Sequence, residues 1–177
     1  MRRIGLLSDT HGDIPESLFS FFGACDEIWH AGDIGNAATA ERLSVFRPLK
    51  AVFGNIDGQD IRISTPGKLR FFCEEVEVLM THIGGYPGHY DPRIREELQQ
   101  RPPKLFICGH SHILKVIWDK KLDLLHLNPG AAGSKGFHKF RTALRFVIDG
   151  ADIREMEIWQ SERLSSLSGA NGESPAR

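Results

Sequence analysis

Leu105-Phe106-Ile107-Cys108-Gly109-His110-Ser111-His112 is the stretch on which the reading of the chain turns. Its apolar half has the length of a buried strand, and Pro102-Pro103 just ahead breaks any helix. Glycine then hands over to two histidines one residue apart. In extended backbone, residues i and i+2 project to the same side, so two imidazoles leaving a strand end converge on one small volume; at a loop they can serve two neighbouring ions. Taken alone, such a pair reads equally well as two half-buried hydrogen-bonding groups. Its meaning depends on what the rest of the chain brings to the same place.

The same handover from strand to polar loop recurs upstream. Ile4-Gly5-Leu6-Leu7 reads as a strand ending in Ser8-Asp9-Thr10-His11-Gly12-Asp13, after which Pro15 and Glu16 open a helix with Leu18, Phe19 and Phe22 at helical spacing. Glu27 to His30 is a second strand, ending in Gly32-Asp33, and Asn36 opens a helix to about Phe46. Leu49 to Phe53 is a third, ending in Gly54-Asn55-Ile56-Asp57. Lys68 to Met80 reads as a hairpin turning at Glu74-Glu75 and leading to Thr81-His82. Beyond a glycine-rich loop from Ile83 to Tyr90, Asp91-Pro92 supplies an N-cap and a first-turn proline for a helix to about Gln100.

Downstream of the opening stretch, Ile113 to Trp118 and Leu122 to Leu127 form a hairpin closed by Asn128-Pro129-Gly130. Thr142 to Ile148 and Ile153 to Trp159 make a final strand pair. Gln160 to Arg177 is Ser-rich and weakly apolar, which predicts a short helix and a disordered tail. Without repeats or a dividing linker, residues 1–159 read as one domain of the α/β class.

The chain has 177 residues, enough to bury about two thirds of its unfolded surface without covalent staples. A formal net charge of −1 gives no global footprint for nucleic acid or an anionic membrane. Cys25, Cys73 and Cys108 are odd in number and scattered, as reduced intracellular thiols are. The apolar stretch after Met1-Arg2-Arg3 is too short for a signal peptide, and no run reaches the length of a membrane span. The expectation is a cytoplasmic protein acting on a small molecule, with homo-oligomerisation left open.

Collected in order, the strand-end loops offer Asp9, His11, Asp33, Asn55, His82, His110 and His112. All are oxygen or nitrogen donors, which points to hard or borderline cations rather than a structural zinc knot. Strand ends in an α/β sheet face one crevice, where these groups can meet. One division gives Asp9, His11 and His112 to one ion and Asn55, His82 and His110 to another, with Asp33 bridging. Two divalent ions sharing a bridging water make a hydroxide that attacks a phosphate ester, with Asp33, Asn55 and His82 as the expected catalytic residues.

In order and interval, Asp9-Thr10-His11, Gly32-Asp33, Gly54-Asn55, Thr81-His82 and Gly109-His110-Ser111-His112 resemble the motifs of the calcineurin-like metallophosphoesterases. The small form with Asn128-Pro129-Gly130 after the last ligand is similar to the bacterial and archaeal phosphodiesterase branch that includes the retromer small subunit. The resemblance spans residues 1 to 159. It implies a two-layered β-sandwich flanked by helices (four layers, α/β/β/α) and two divalent ions: manganese, or iron, zinc or nickel. It favours phosphodiesters, as does the lack of an insert that would form a cap. A binding scaffold of the same fold with little catalysis is the alternative.

Two departures stand out. The position after the metal-binding asparagine, often His or Cys in that family, is Ile56, which can neither donate a proton nor hold phosphate. A Gly-His pair is common after the ligand equivalent to His82, whereas here Ile83-Gly84-Gly85-Tyr86-Pro87-Gly88-His89 follows. His89, and His138 and Arg141 in the basic stretch after the Asn-Pro-Gly turn, are candidate substrate contacts. His30 reads as a satisfied structural histidine, and Asp57 as a turn-forming or supporting carboxylate.

Overall fold

A computed structural model describes residues 1–136 and 138–163. Along the chain run β1 (Arg2–Leu7), α1 (Glu16–Phe21), β2 (Glu27–His30), α2 (Ala37–Phe46), β3 (Leu49–Ala51), α3 (Gln59–Arg62), β4 (Lys68–Cys73) and β5 (Val76–Thr81). There follow β6 (Gly85–Tyr86), β7 (His89–Tyr90), α4 (Pro92–Gln100), β8 (Leu105–Ile107), β9 (Leu114–Asp119), β10 (Leu124–Pro129), β11 (Phe140–Asp149) and β12 (Asp152–Glu162). Two of the three expected helix starts rest on side-chain caps. Asn36 accepts the backbone N–H of Thr39 at 2.9 Å, and Asp91 that of Arg93 at 2.9 Å, with Pro92 in the first turn.

The strands form two five-stranded sheets, β12-β11-β1-β2-β3 and β4-β5-β8-β10-β9. Within the first, β1, β2 and β3 run parallel; within the second, β5, β8 and β10 do. The remaining pairings are antiparallel. Alternation along β1 and β11 sends Ile4, Leu6, Leu144, Phe146 and Ile148 inward against Val78, Met80, Leu105, Ile107 and Leu127 of the facing sheet. Outside the first sheet, Leu18 and Phe22 near α1 and Leu43 of α2 cover Leu7, Ile28 and Ala143. Outside the second, Ile94 and Leu98 of α4 cover Leu79, Phe106 and Leu124. The architecture is the α/β/β/α sandwich.

Short elements escape the sequence reading. The single turn of α3 and the two-residue hairpin arms β6 and β7 lack a hydrophobic period long enough to register. A correction falls at the end of the chain. Gln160, Ser161 and Glu162 do not begin a helix; they continue β12, paired with Thr142, Arg141 and Phe140. The sheet thus passes the expected boundary at 159, and the expected tail from residue 164 onward lies outside the described residues.

His126 on β10 is fully buried against Phe106 and Tyr90, and neither ring nitrogen has a hydrogen-bond partner among the described residues. Burial holds its pKa down, at about 4, with the nearby Lys115 ammonium acting the same way. A group protonated when unfolded near pH 6.5 but neutral when folded withdraws stability as the pH falls from 6.5 towards 4. By pH 4 the expected loss is about 3 kcal/mol, and His126→Phe should flatten that acid limb in urea titrations run across the range. Equal acid limbs in both proteins would show that His126 does not carry the effect.

Candidate metal centre

The parallel strands of both sheets release their carboxyl ends at one edge of the sandwich. Asp9 and His11 follow β1, Asp33 follows β2, Asn55 follows β3, His82 follows β5, and His110 and His112 follow β8. Their donor atoms assemble into two groups within which all lie inside 4.8 Å: Asp9, His11 and His112, and Asp33, His82 and His110. Nε2 of His112 is 3.1 Å from Asp9 Oδ1 and 3.5 Å from Nε2 of His11. His82 Nε2 lies 3.2 Å from Asp33 Oδ1 and 3.1 Å from Asn55 Oδ1. Asp33 faces both groups, since its Oδ2 is 3.9 Å from His11 Nε2.

The backbone is bent to make this convergence. Asp9, His11, Asp33, His110 and His112 all have positive φ, between 49° and 66°. For residues other than glycine such a conformation costs on the order of 1–3 kcal/mol each and persists only where surroundings enforce it. Asp57 enforces it. Buried at 3% exposure, its carboxylate accepts the N–H groups of Ile34 at 3.1 Å, Gly35 at 2.7 Å and Gly54 at 2.7 Å, tying the loop after β2 to the loop after β3. Gly54 has no room for a side chain, because a Cβ there would sit 2.0 Å from Asp33 Oδ1.

Electrostatics separate the members. The Asp33 carboxyl is desolvated, yet its pKa lies below the usual carboxylate range, because His82 and the Ile56 N–H bond to it. Burial alone would lower the His82 pKa; the bond to Asp33 and the charge of Asp9 overcome that and raise it. Burial lowers the pKa of His11 and His110. His82 Nδ1 donates to the Ala31 carbonyl at 2.8 Å, which turns Nε2 towards the centre.

Asp9 provides the test of whether a cation fits. Its Oδ2 accepts from Ser8 Oγ at 2.6 Å and from the His110 N–H at 3.1 Å. Its Oδ1 is buried, 3.1 Å from His112 Nε2 but outside hydrogen-bonding geometry with it, and makes no hydrogen bond among the described residues. A buried carboxylate oxygen without a donor is costly. A divalent ion among Asp9, His11 and His112 would satisfy it, so the donor set suits metal.

The candidate substrate contacts are placed unevenly. His138 lies beside the centre, its ring 6.3 Å from that of His112. His89 sits on the β6–β7 hairpin with its ring 5.0 Å from Tyr86, in a cleft it shares with His110. Arg141 is occupied elsewhere: Nε donates to the Ala132 carbonyl at 2.8 Å and Nη2 to Asp13 at 3.0 Å. Supporting residues were harder to see in the sequence. Asn128 Nδ2 donates to the Gly109 carbonyl at 2.8 Å and to Ser111 Oγ at 3.1 Å, fixing the histidine turn. A buried polar residue at a strand end, just before Pro-Gly, is the signal that could have found it. Thr10 and the Gly32 N–H satisfy both ring nitrogens of His30, at 2.9 and 3.1 Å, so it is the structural histidine expected.

A model of the calcineurin-like phosphoesterase superfamily domain matches residues 1–150. The chain belongs to that superfamily. A probable metallophosphoesterase from Methanothermobacter thermautotrophicus is 31% identical over 133 residues, 72% of this phosphoesterase chain and 76% of its own length. Among solved structures, wild-type Vps29 from Entamoeba histolytica, complexed with Zn2+, shares the fold at a TM-score of 0.70 and 14% identity, covering 90% of this chain and 98% of its own. A novel archaeal phosphodiesterase does so at 0.66 and 18% identity, over 89% and 99%. The superfamily uses divalent metals, and the two donor groups of this phosphoesterase are where its residues suit them. No helix among the described residues is long and apolar enough to cross a membrane.

Proposed function

We propose that this phosphoesterase is a binuclear metal-dependent phosphodiesterase acting on a small phosphate ester. The observation that carries the reading is the pair of donor groups facing one another across Asp33, with a buried Asp9 oxygen that makes no hydrogen bond among the described residues and lies against the His112 ring. Asp9, His11 and His112 would hold one ion and Asn55, His82 and His110 the other, with Asp33 common to both. Manganese is our assignment, with iron, zinc or nickel as substitutes. Such ions, when bound, supply charge to the phosphoryl oxygens and lower the pKa of a water shared between them.

The chain's own residues set the geometry. Asp33 holds its carboxylate in place through the Ile56 N–H at 3.1 Å. His82 is oriented through Ala31, and Arg62 braces the asparagine loop by donating Nη2 to the Gly54 carbonyl at 2.9 Å. Ile56 contributes only its main chain; the residue stands 47% exposed, and its side chain has no proton to give. Leaving groups that depart unprotonated, such as aryl oxides, suit that arrangement. The lack of an insert that would form a cap favours diesters, whose single charge needs less neutralisation than a monoester's. The second reading, a scaffold of the same fold, draws on the likeness to Vps29 and on Ile56; the two converging donor groups, with the buried Asp9 oxygen making no hydrogen bond, argue against it.

The experiment is a metal-by-substrate panel on purified protein, with metal content determined before any addition. We expect manganese-stimulated hydrolysis of bis(4-nitrophenyl) phosphate exceeding that of 4-nitrophenyl phosphate. His110→Ala and His112→Ala should each lose a different ion. Absence of turnover across all metals and esters would favour the scaffold, and loss of the same ion in both variants would refute the division.

A further inference from the structure

Two clefts flank the donor groups. One, of about 400 Å³, meets the centre at Asn55 and His82 and is lined also by Phe53, Arg62, Lys68 and Arg93. The other, of about 710 Å³, meets it at His110 and is lined also by His89, Asp91, Arg93 and Arg95. Ile83 and Arg93 are the residues common to both, so Arg93 is the charged group at their junction. Among the described lining residues, the first cleft carries three fixed cations and no carboxylate, and the second carries two, opposed by Asp91.

Most of these cations are committed. Arg62 donates Nε to the Asp57 carbonyl at 2.6 Å and Nη2 to that of Gly54 at 2.9 Å. Lys68 is paired with Glu97. Arg95 donates Nε and Nη2 to the Tyr90 carbonyl, at 3.2 and 2.8 Å. Arg93 differs: its side chain is 68% exposed and, among the described residues, rests on Asp91 alone, through Nε at 2.8 Å and Nη2 at 2.9 Å. The same carboxylate also caps α4 by accepting the Arg93 N–H. The guanidinium can therefore leave Asp91 without depriving that carboxylate of its backbone donor. The pair is bidentate and so firmer than an ordinary surface ion pair, yet its guanidinium lies open to solvent, where a phosphate, matching the same fork with more charge, can displace the carboxylate.

We propose that Arg93 anchors a second anionic group on the substrate, so that the preferred class is phosphodiesters bearing a further phosphate. This rests on the phosphodiesterase reading above. With ions bound, the reacting phosphate would be neutralised there, which leaves Arg93, at the junction of the clefts, for a charged substituent. The planar fork of an arginine suits a phosphate bidentately. Because Arg93 borders both clefts, it serves the substituent in whichever cleft the substrate occupies.

The test compares manganese-loaded wild type with Arg93→Ala and Arg93→Lys. Calorimetry measures binding of thymidine 5′-monophosphate and thymidine 3′,5′-bisphosphate; turnover is followed with thymidine 5′-(4-nitrophenyl phosphate), with and without a 3′-phosphate. Wild type should favour the 3′-phosphorylated member about tenfold in each pair. The ratio should fall to about one in the alanine variant and to an intermediate value in the lysine variant. A wild-type ratio of one, or an unchanged ratio in Arg93→Ala, overturns the proposal. Binding preference without turnover would overturn the phosphodiesterase reading but keep the anion site, and turnover without preference would do the reverse.

Discussion

Asp33→Ala is expected to abolish hydrolysis of an aryl phosphodiester, by about a thousandfold or more, equivalent to about 4 kcal/mol in the barrier. The carboxylate is placed to serve both donor groups, with Oδ1 at 3.2 Å from His82 and Oδ2 at 3.9 Å from His11. Its removal withdraws the charge between the two candidate positions and releases the Ile56 N–H. Metal content of the purified variant should fall together with activity. Asp33→Asn separates charge from scaffolding, because an amide oxygen can still accept the Ile56 N–H; it too should lose metal while keeping its thermal midpoint near wild type. Either variant retaining full metal and turnover would sink the bridging role.

The second large effect concerns stability. Asp57→Ala leaves three N–H groups, of Ile34, Gly35 and Gly54, without their acceptor in the interior. Each buried donor so stranded costs about 1–3 kcal/mol, and partial hydration reduces the sum, giving about 4 kcal/mol in all. For a domain of this size that lowers the thermal midpoint by about 10 °C. Because the freed loops carry Asp33 and Asn55, metal affinity should drop by about 10–100-fold as well. Asp57→Asn, with one acceptor oxygen, should fall between. Scanning calorimetry and metal titration measure both effects; a midpoint unchanged in Asp57→Ala would contradict the account.

Much of this was legible in the chain because strand ends, caps and donors are local signals. Asn36 and Asp91 announce their helices within a few residues, and the apolar runs before Asp9, Asp33, His82 and His110 announce buried strands. The gathering of the donors at one edge follows from parallel strands ending together, which strand and helix alternation already implies. What the pattern could not supply was partnership over long separations. That the strands divide into two sheets came from family resemblance, since periodicity does not say which strand pairs with which. Arg141 looked free for substrate; its tie to Asp13 spans the length of the domain and leaves no trace in sequence. Asp57 showed its supporting nature, but the three amides it gathers belong to two loops and emerge only in the fold.

Each donor group draws on both layers of the sandwich. Asp9 and His11 come from one sheet and His112 from the other; Asp33 comes from the first, and His82 and His110 from the second. An ion in either position would thus rivet one sheet to the other at the rim. The interior contacts among Leu6, Met80, Ile107 and Leu144 then act as a spacing gauge, since any slide of the layers past each other would pull the imidazoles away from the carboxylates. Residues that never touch an ion would thereby help to set the spacing of the groups that hold it.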